Sequence, residues 1–123
     1  MAKKILIVED DVLLMEILKD RLEASNYEVV TAENGKDGSF KAMTEKPDLI
    51  LLDLILPKKD GFEVLKELKA DEDMKTIPVI VLTNLEGVGD VEKALELGAT
   101  TYLVKVNYEL EDVLKTVKEH LKK

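Results

Sequence analysis

Near its start the chain reads Ile5-Leu6-Ile7-Val8-Glu9-Asp10-Asp11, four apolar residues that break abruptly into three acids. An unbroken apolar run of this length suits a strand buried on both faces, as in a parallel sheet covered by helices. The pattern recurs at Leu49–Leu52, Val79–Leu82 and Tyr102–Val104. Tyr27–Ala32 is less uniformly apolar and reads as an edge strand.

Helical periodicity fills the gaps. Leu110, Val113, Leu114, Val117 and Leu121 make one apolar stripe, and Leu14, Ile17, Leu18 and Leu22 a second. Val64, Leu65 and Leu68 make a third, and Val91, Ala94 and Leu95 a fourth. The stretch Lys36–Glu45 is weaker, interrupted by Gly38. Asp11 and Asn107 are placed to cap the first and last helices, and Gly98 to end the fourth. The order is β-α repeated, which predicts an α/β fold: an open, doubly wound parallel sheet with helices on both faces.

The chain has 123 residues, with 18 lysines and arginines against 26 acids and a net charge of −8. That length fits one domain, expected to span residues 1–123 with no output domain attached. Without cysteine there is no disulfide framework and no thiolate zinc site. The single histidine, His120, sits in a lysine-rich terminal turn and reads as a solvated surface residue. The acidic balance argues against direct nucleic-acid binding. No apolar run approaches a membrane span, and Ile5–Val8 is too short for a secretory signal. The expectation is a soluble, cytoplasmic protein without membrane insertion.

In open α/β sheets, ligands bind beyond the carboxyl ends of the strands, where the strand order switches. Strand one ends in Glu9-Asp10-Asp11, strand three in Asp53, strand four in Thr83 and strand five in Lys105. Any one such residue is most often a turn residue or a helix cap. The conjunction carries the argument. If strands one and three are neighbours, Glu9, Asp10 and Asp53 converge, and close carboxylates repel unless a cation joins them. Oxygen ligands without His or Cys point to Mg²⁺ or Ca²⁺, and so few carboxylates favour Mg²⁺, which shares its shell with water and phosphate. A carboxylate beside a divalent cation, a lysine and a hydroxyl is equipped for phosphoryl transfer.

These motifs are similar to those of the receiver domain of two-component response regulators, over essentially the whole chain. They are residues 5–11, Asp48-Leu49-Ile50-Leu51-Leu52-Asp53-Leu54-Ile55-Leu56-Pro57, Asp60-Gly61, Val79–Thr83, Gly98-Ala99 and Tyr102-Leu103-Val104-Lys105. The resemblance implies a flavodoxin-like fold, strand order 2-1-3-4-5, with five helices. It makes Asp53 the phospho-acceptor, fed by the phosphohistidine of a sensor histidine kinase or a phosphotransfer protein. Glu9, Asp10, Asp53 and the backbone carbonyl of Ile55 would hold Mg²⁺, or Mn²⁺ in its place. Lys105 and Thr83 would contact phosphoryl oxygens. Thr83 and Tyr102 would then switch the surface made by the fourth helix, fifth strand and fifth helix, which controls a downstream protein. As a single-domain response regulator the chain would catalyse only its own phosphorylation and dephosphorylation.

The chain departs from the family pattern in places. Val106 follows Lys105 where proline in a cis bond is usual, which predicts a trans bond here. Asn84 stands where a smaller residue is usual, which narrows access to Asp53. Ile55 and Leu85, each two residues beyond a site residue, offer no polar side chain to orient a hydrolytic water. Three other readings compete. A haloacid-dehalogenase-like phosphohydrolase wants an Asp-x-Asp pair after strand one, absent here. A nucleotide- or flavin-binding module wants glycines after strand one, where this chain has carboxylates. A receiver-like interaction module that is never phosphorylated would leave Asp53 unlabelled.

Overall fold

The apolar runs become strands because their residues can be buried on both sides at once. The computed structural model describes residues 2–122. The strands are β1 (Lys4–Val8), β2 (Glu28–Ala32), β3 (Leu49–Leu52), β4 (Val79–Thr83) and β5 (Thr101–Val104). The helices are α1 (Val12–Ala24), α2 (Gly35–Glu45), α3 (Gly61–Ala70), α4 (Val88–Glu96) and α5 (Leu110–Leu121). All pairings are parallel, in the order β2-β1-β3-β4-β5. This is the flavodoxin-like order, with its switch between β1 and β3.

Side chains alternate across a strand, so each strand feeds two cores. Leu6, Val8, Ile50, Leu52, Val79 and Val81 face one way, against Ala42 of α2, Val64, Leu65 and Leu68 of α3 and Ala94 of α4. Ile5, Ile7, Leu49, Leu51, Ile80 and Leu82 face the other, against Met15, Leu18 and Leu22 of α1 and Val113 and Val117 of α5. β2 is the partly exposed edge strand expected from its mixed composition.

Local signals are mostly obeyed. Asp11 caps α1 by accepting the Leu14 N–H, and Gly98 follows α4 at φ +110°. Four expectations need correction. Asn107 does not cap α5: it lies in a 3₁₀ turn, Lys105–Asn107, and the cap is Glu109, in a reciprocal capping box with Asp112. Ile17 is exposed and Met15 is in the core, because the buried stripe of α1 runs Met15, Leu18 and Leu22, at i, i+3 and i+7. Leu95 is likewise exposed while its neighbour Ala94 is buried. His120 is partly buried: its Nε2 lies 2.9 Å from Thr101 Oγ1 and its Nδ1 2.8 Å from the Thr116 carbonyl, tying the end of α5 to β5.

Candidate functional site

Register brings the strand ends together. Val8 pairs with Leu52, so Glu9 and Asp53 are the next residues on neighbouring strands. Thr83 pairs with Val104, so Lys105 follows immediately on the strand beside it. Backbone bonds fix both acids: the Asp53 N–H donates to the Val8 carbonyl and the Glu9 N–H to the Ala32 carbonyl, each at 3.0 Å.

Glu9 and Asp53 are 2 % and 4 % exposed, whereas Asp10 is open to solvent. One oxygen from each of the three lies within 4.8 Å of the others. Lys105 Nζ bridges the buried pair, 2.8 Å from Asp53 Oδ2 and 2.9 Å from Glu9 Oε1. The second Asp53 oxygen accepts the Ile55 N–H at 3.1 Å, and Glu9 Oε2 accepts the Asp11 N–H at 3.0 Å. The Lys105–Val106 bond is trans, since the chain has no cis peptide among the described residues, and Lys105 still reaches both acids.

Electrostatics follow from this packing. Burial pushes the Glu9 carboxyl up to about 7, against the pull of the Lys105 ammonium and the Asp11 N–H, and the Asp53 charge pushes it further up. Burial works to lower the Lys105 ammonium, but hydrogen bonds to Asp53 and Glu9 outweigh it and leave Lys105 above its ordinary value. Thr83 is wholly buried, and its Oγ1 has no hydrogen-bond partner among the described residues. An orphaned buried hydroxyl is costly unless something occupies the position it faces.

Tyr102 sits on β5 with its hydroxyl donating to the Leu85 carbonyl at 2.9 Å, in the segment between β4 and α4. The tyrosine was legible from the strand pattern; its backbone acceptor was not. Nor was the Glu9–Lys105 pair, since nothing in either local stretch signals a contact spanning 96 positions. Ile55 is exposed just beyond Asp53.

A doubly wound sheet with this order, whose carboxyl edge gathers three acids, a lysine and a buried free hydroxyl, defines the receiver class of signalling domain. The chain belongs to that family: the response regulator receiver domain matches residues 5–118. It is 46 % identical over 105 residues to the alkaline phosphatase synthesis transcriptional regulatory protein PhoP of Bacillus subtilis, covering 85 % of this chain and 43 % of PhoP. It is 41 % identical over 105 residues to the polar-differentiation response regulator DivK of Brucella anthropi, covering 85 % of each. The Mn²⁺-bound form of response regulator Rcp1 superposes with a TM-score of 0.81 at 38 % identity, over 95 % of this chain and 90 % of that one. The chain thus spans under half of PhoP but most of DivK.

Receiver domains are phosphorylated on an aspartate and are signalling domains, acting with histidine kinases and downstream effectors. They bind Mg²⁺ or Mn²⁺ at an acidic pocket, and Glu9, Asp10 and Asp53 form that pocket here. The donor set fits a hard divalent cation, because all three ligands are carboxylate oxygens. No helix among the described residues is long and apolar enough to cross a membrane.

Proposed function

We propose that this chain is a phosphorylation-controlled switch whose acceptor is Asp53. The observation that carries the reading is the state of that side chain. Asp53 is buried at the sheet edge, one oxygen held by the Ile55 N–H and the other by Lys105, with two further acids within reach of the same cation. A carboxylate so restrained is oriented for attack. In the step, an Asp53 oxygen forms a bond to phosphorus. The phosphorus–nitrogen bond to the donor histidine breaks, and the imidazole leaves to take a proton.

Glu9, Asp10, Asp53 and the Ile55 carbonyl would hold Mg²⁺. When bound, the ion neutralises the carboxylates and shares the charge of the phosphoryl oxygens. Lys105 then exchanges part of its carboxylate contact for a phosphoryl oxygen. Thr83 Oγ1 gains the partner it lacks. Tyr102 and the segment it holds through Leu85 then pass that change to the α4-β5-α5 surface, as a shift between two conformations; the Tyr102–Leu85 hydrogen bond supports this route.

The phosphoryl donor is a sensor histidine kinase or a phosphotransfer protein. Exposed Val12, Leu13 and Ile17, on the helix that follows the acidic turn, offer it an apolar seat. The reading includes a cytoplasmic location and a receiver domain that occupies this chain, as the match to most of DivK supports.

Intact-mass measurement after incubation with Mg²⁺ and acetyl phosphate tests the proposal. One phosphoryl group should add to the wild-type chain and none to Asp53→Asn. Equal labelling of that variant refutes the assignment, and labelling of neither favours the unphosphorylated interaction module.

A further inference from the structure

At the amino edge of the sheet, opposite the acidic pocket, Asp48, Glu28 and Glu45 gather around Lys4, and beside them lies a second group of charges. There Lys3, ahead of β1, and Tyr27, ahead of β2, meet Lys115, Lys118, Leu121 and Lys122 around a groove of about 560 Å³. One carboxylate, Glu119, also lines it. In a chain of net charge −8, this is a local excess of cations. None of these four lysines forms an ion pair with a described residue.

Lysines near a helix carboxyl terminus are ordinary complements to its dipole, which accounts for Lys118 and Lys122. It does not account for Lys3, brought in from the other end of the chain, or for the groove between them. Like charges that converge raise one another's energy, and a bound anion relieves it. The floor has a different character. Tyr27 and Leu121 are partly buried, packed on the core face that also holds Leu22 and Val117. Together they give the groove one aromatic and one aliphatic side chain beside its lysines. The volume falls within the range of about 300–1,000 Å³ common for small-molecule sites.

We propose that this groove binds a nucleotide, with its phosphates on Lys3, Lys115, Lys118 and Lys122 and its base against Tyr27. A single ring matches one planar base better than the row of side chains that an extended acidic peptide presents. The inference does not rest on phosphoryl transfer at Asp53.

Titration of the isotope-labelled full chain with ATP, in excess chelator to keep cations from the acidic pocket, tests it by amide chemical shifts. Saturable changes should centre on residues 3, 27 and 115–122. The triple variant K115A/K118A/K122A should weaken binding at least about tenfold, and the milder pair K3Q/K122Q should weaken it in the same direction. Tyr27→Leu should weaken ATP but not tripolyphosphate. Asp53→Asn should bind ATP like the wild type. Absence of saturation overturns the proposal, as do changes centred on residues 9, 10 and 53. Tripolyphosphate binding as tightly as ATP reduces the groove to a charge patch and also overturns it. Tighter binding of a glutamate-rich peptide assigns the groove to a protein partner instead.

Discussion

Thr83 is the residue whose surroundings ask most of it. Its hydroxyl is wholly buried and has no hydrogen-bond partner among the described residues, a state that costs roughly 1–3 kcal/mol. Valine has the same shape without the hydroxyl. Thr83→Val should therefore leave the resting protein as stable or more stable, by up to about 1–3 kcal/mol in urea unfolding, while weakening the phosphorylated state. Marked destabilisation of the resting variant would show that the hydroxyl already has a partner. Glu9 makes a complementary case in the chelated protein. Its carboxyl titrates near 7 when folded, above the ordinary 4.5, chiefly because it is buried. The folded chain therefore holds that proton more tightly than the unfolded chain does. Stability from this source is complete below about 4.5 and is lost as pH rises towards 7. Urea midpoints of wild type and Glu9→Gln should diverge in favour of the variant between pH 5 and pH 7.5, a window set by that shift. Parallel midpoints would contradict it. That Asp53, Thr83 and Lys105 come to the carboxyl edge of the sheet was legible because each ends an apolar run. His120 was misread because its two partners, Thr101 and the Thr116 carbonyl, depend on how α5 lies against β5. Local sequence does not encode that.

The strands were legible for a simple reason: four of them are apolar on both faces, and few other structures tolerate that composition. The second helix was the least legible, and its weakness has a packing cause. Its buried positions are Gly35, Gly38 and Ala42, too small to make an apolar stripe. A Cβ at Gly38 would lie 2.8 Å from Val8 Cγ1, so the residue that breaks the pattern is what lets α2 lie on β1. A tighter version of the same constraint positions the site. A Cβ at Gly61, the first residue of α3, would come within 2.3 Å of the Asp53 carbonyl oxygen and 2.5 Å of Leu54 Cα. Backbone cannot yield as a side chain can. Gly61→Ala should cost about 1–3 kcal/mol in thermal or urea unfolding and displace Asp53, slowing its phosphorylation by acetyl phosphate. An unchanged rate together with unchanged stability would mean that α3 slides without moving β3. At the other end of the chain, the capping box predicts that Glu109→Ala destabilises by about 0.5–2 kcal/mol while Asn107→Ala does not. Equal effects of the two would restore Asn107 as the cap. Asn107 looked suitable because its residue type is a good cap; the 3₁₀ turn after β5 moved the helix start beyond it.

Taken whole, the molecule carries a different charged cluster at each end of its strands. Glu9, Asp10 and Asp53 gather at the carboxyl edge, and the lysine-lined groove at the amino edge. At the acidic end one side-chain cation, Lys105, contacts two of the three acids. Asp10 is left outside that arrangement, solvent-exposed and without an ion pair among the described residues. A divalent cation entering the pocket gains all three carboxylates at once, and it gains them only in the folded chain, because residues 9, 10 and 53 come together only through the β1–β3 pairing. Binding confined to the folded state stabilises it by mass action, about 2.7 kcal/mol when the ligand is at a hundred times its Kd. Mg²⁺ should therefore raise the melting temperature by several degrees, in proportion to the logarithm of its concentration once the site is saturated. Asp10→Ala should remove that rise by deleting the one ligand that Lys105 does not already neutralise. Its own metal-free melting temperature should be no lower than that of wild type, since the deleted charge repels its two neighbours. A calorimetric titration of melting temperature against Mg²⁺, with Ca²⁺ as the parallel series, reads both effects. A rise that survives Asp10→Ala would place the stabilising cation elsewhere on this acidic surface, and a lower metal-free melting temperature would show that Asp10 has a structural contact beyond charge.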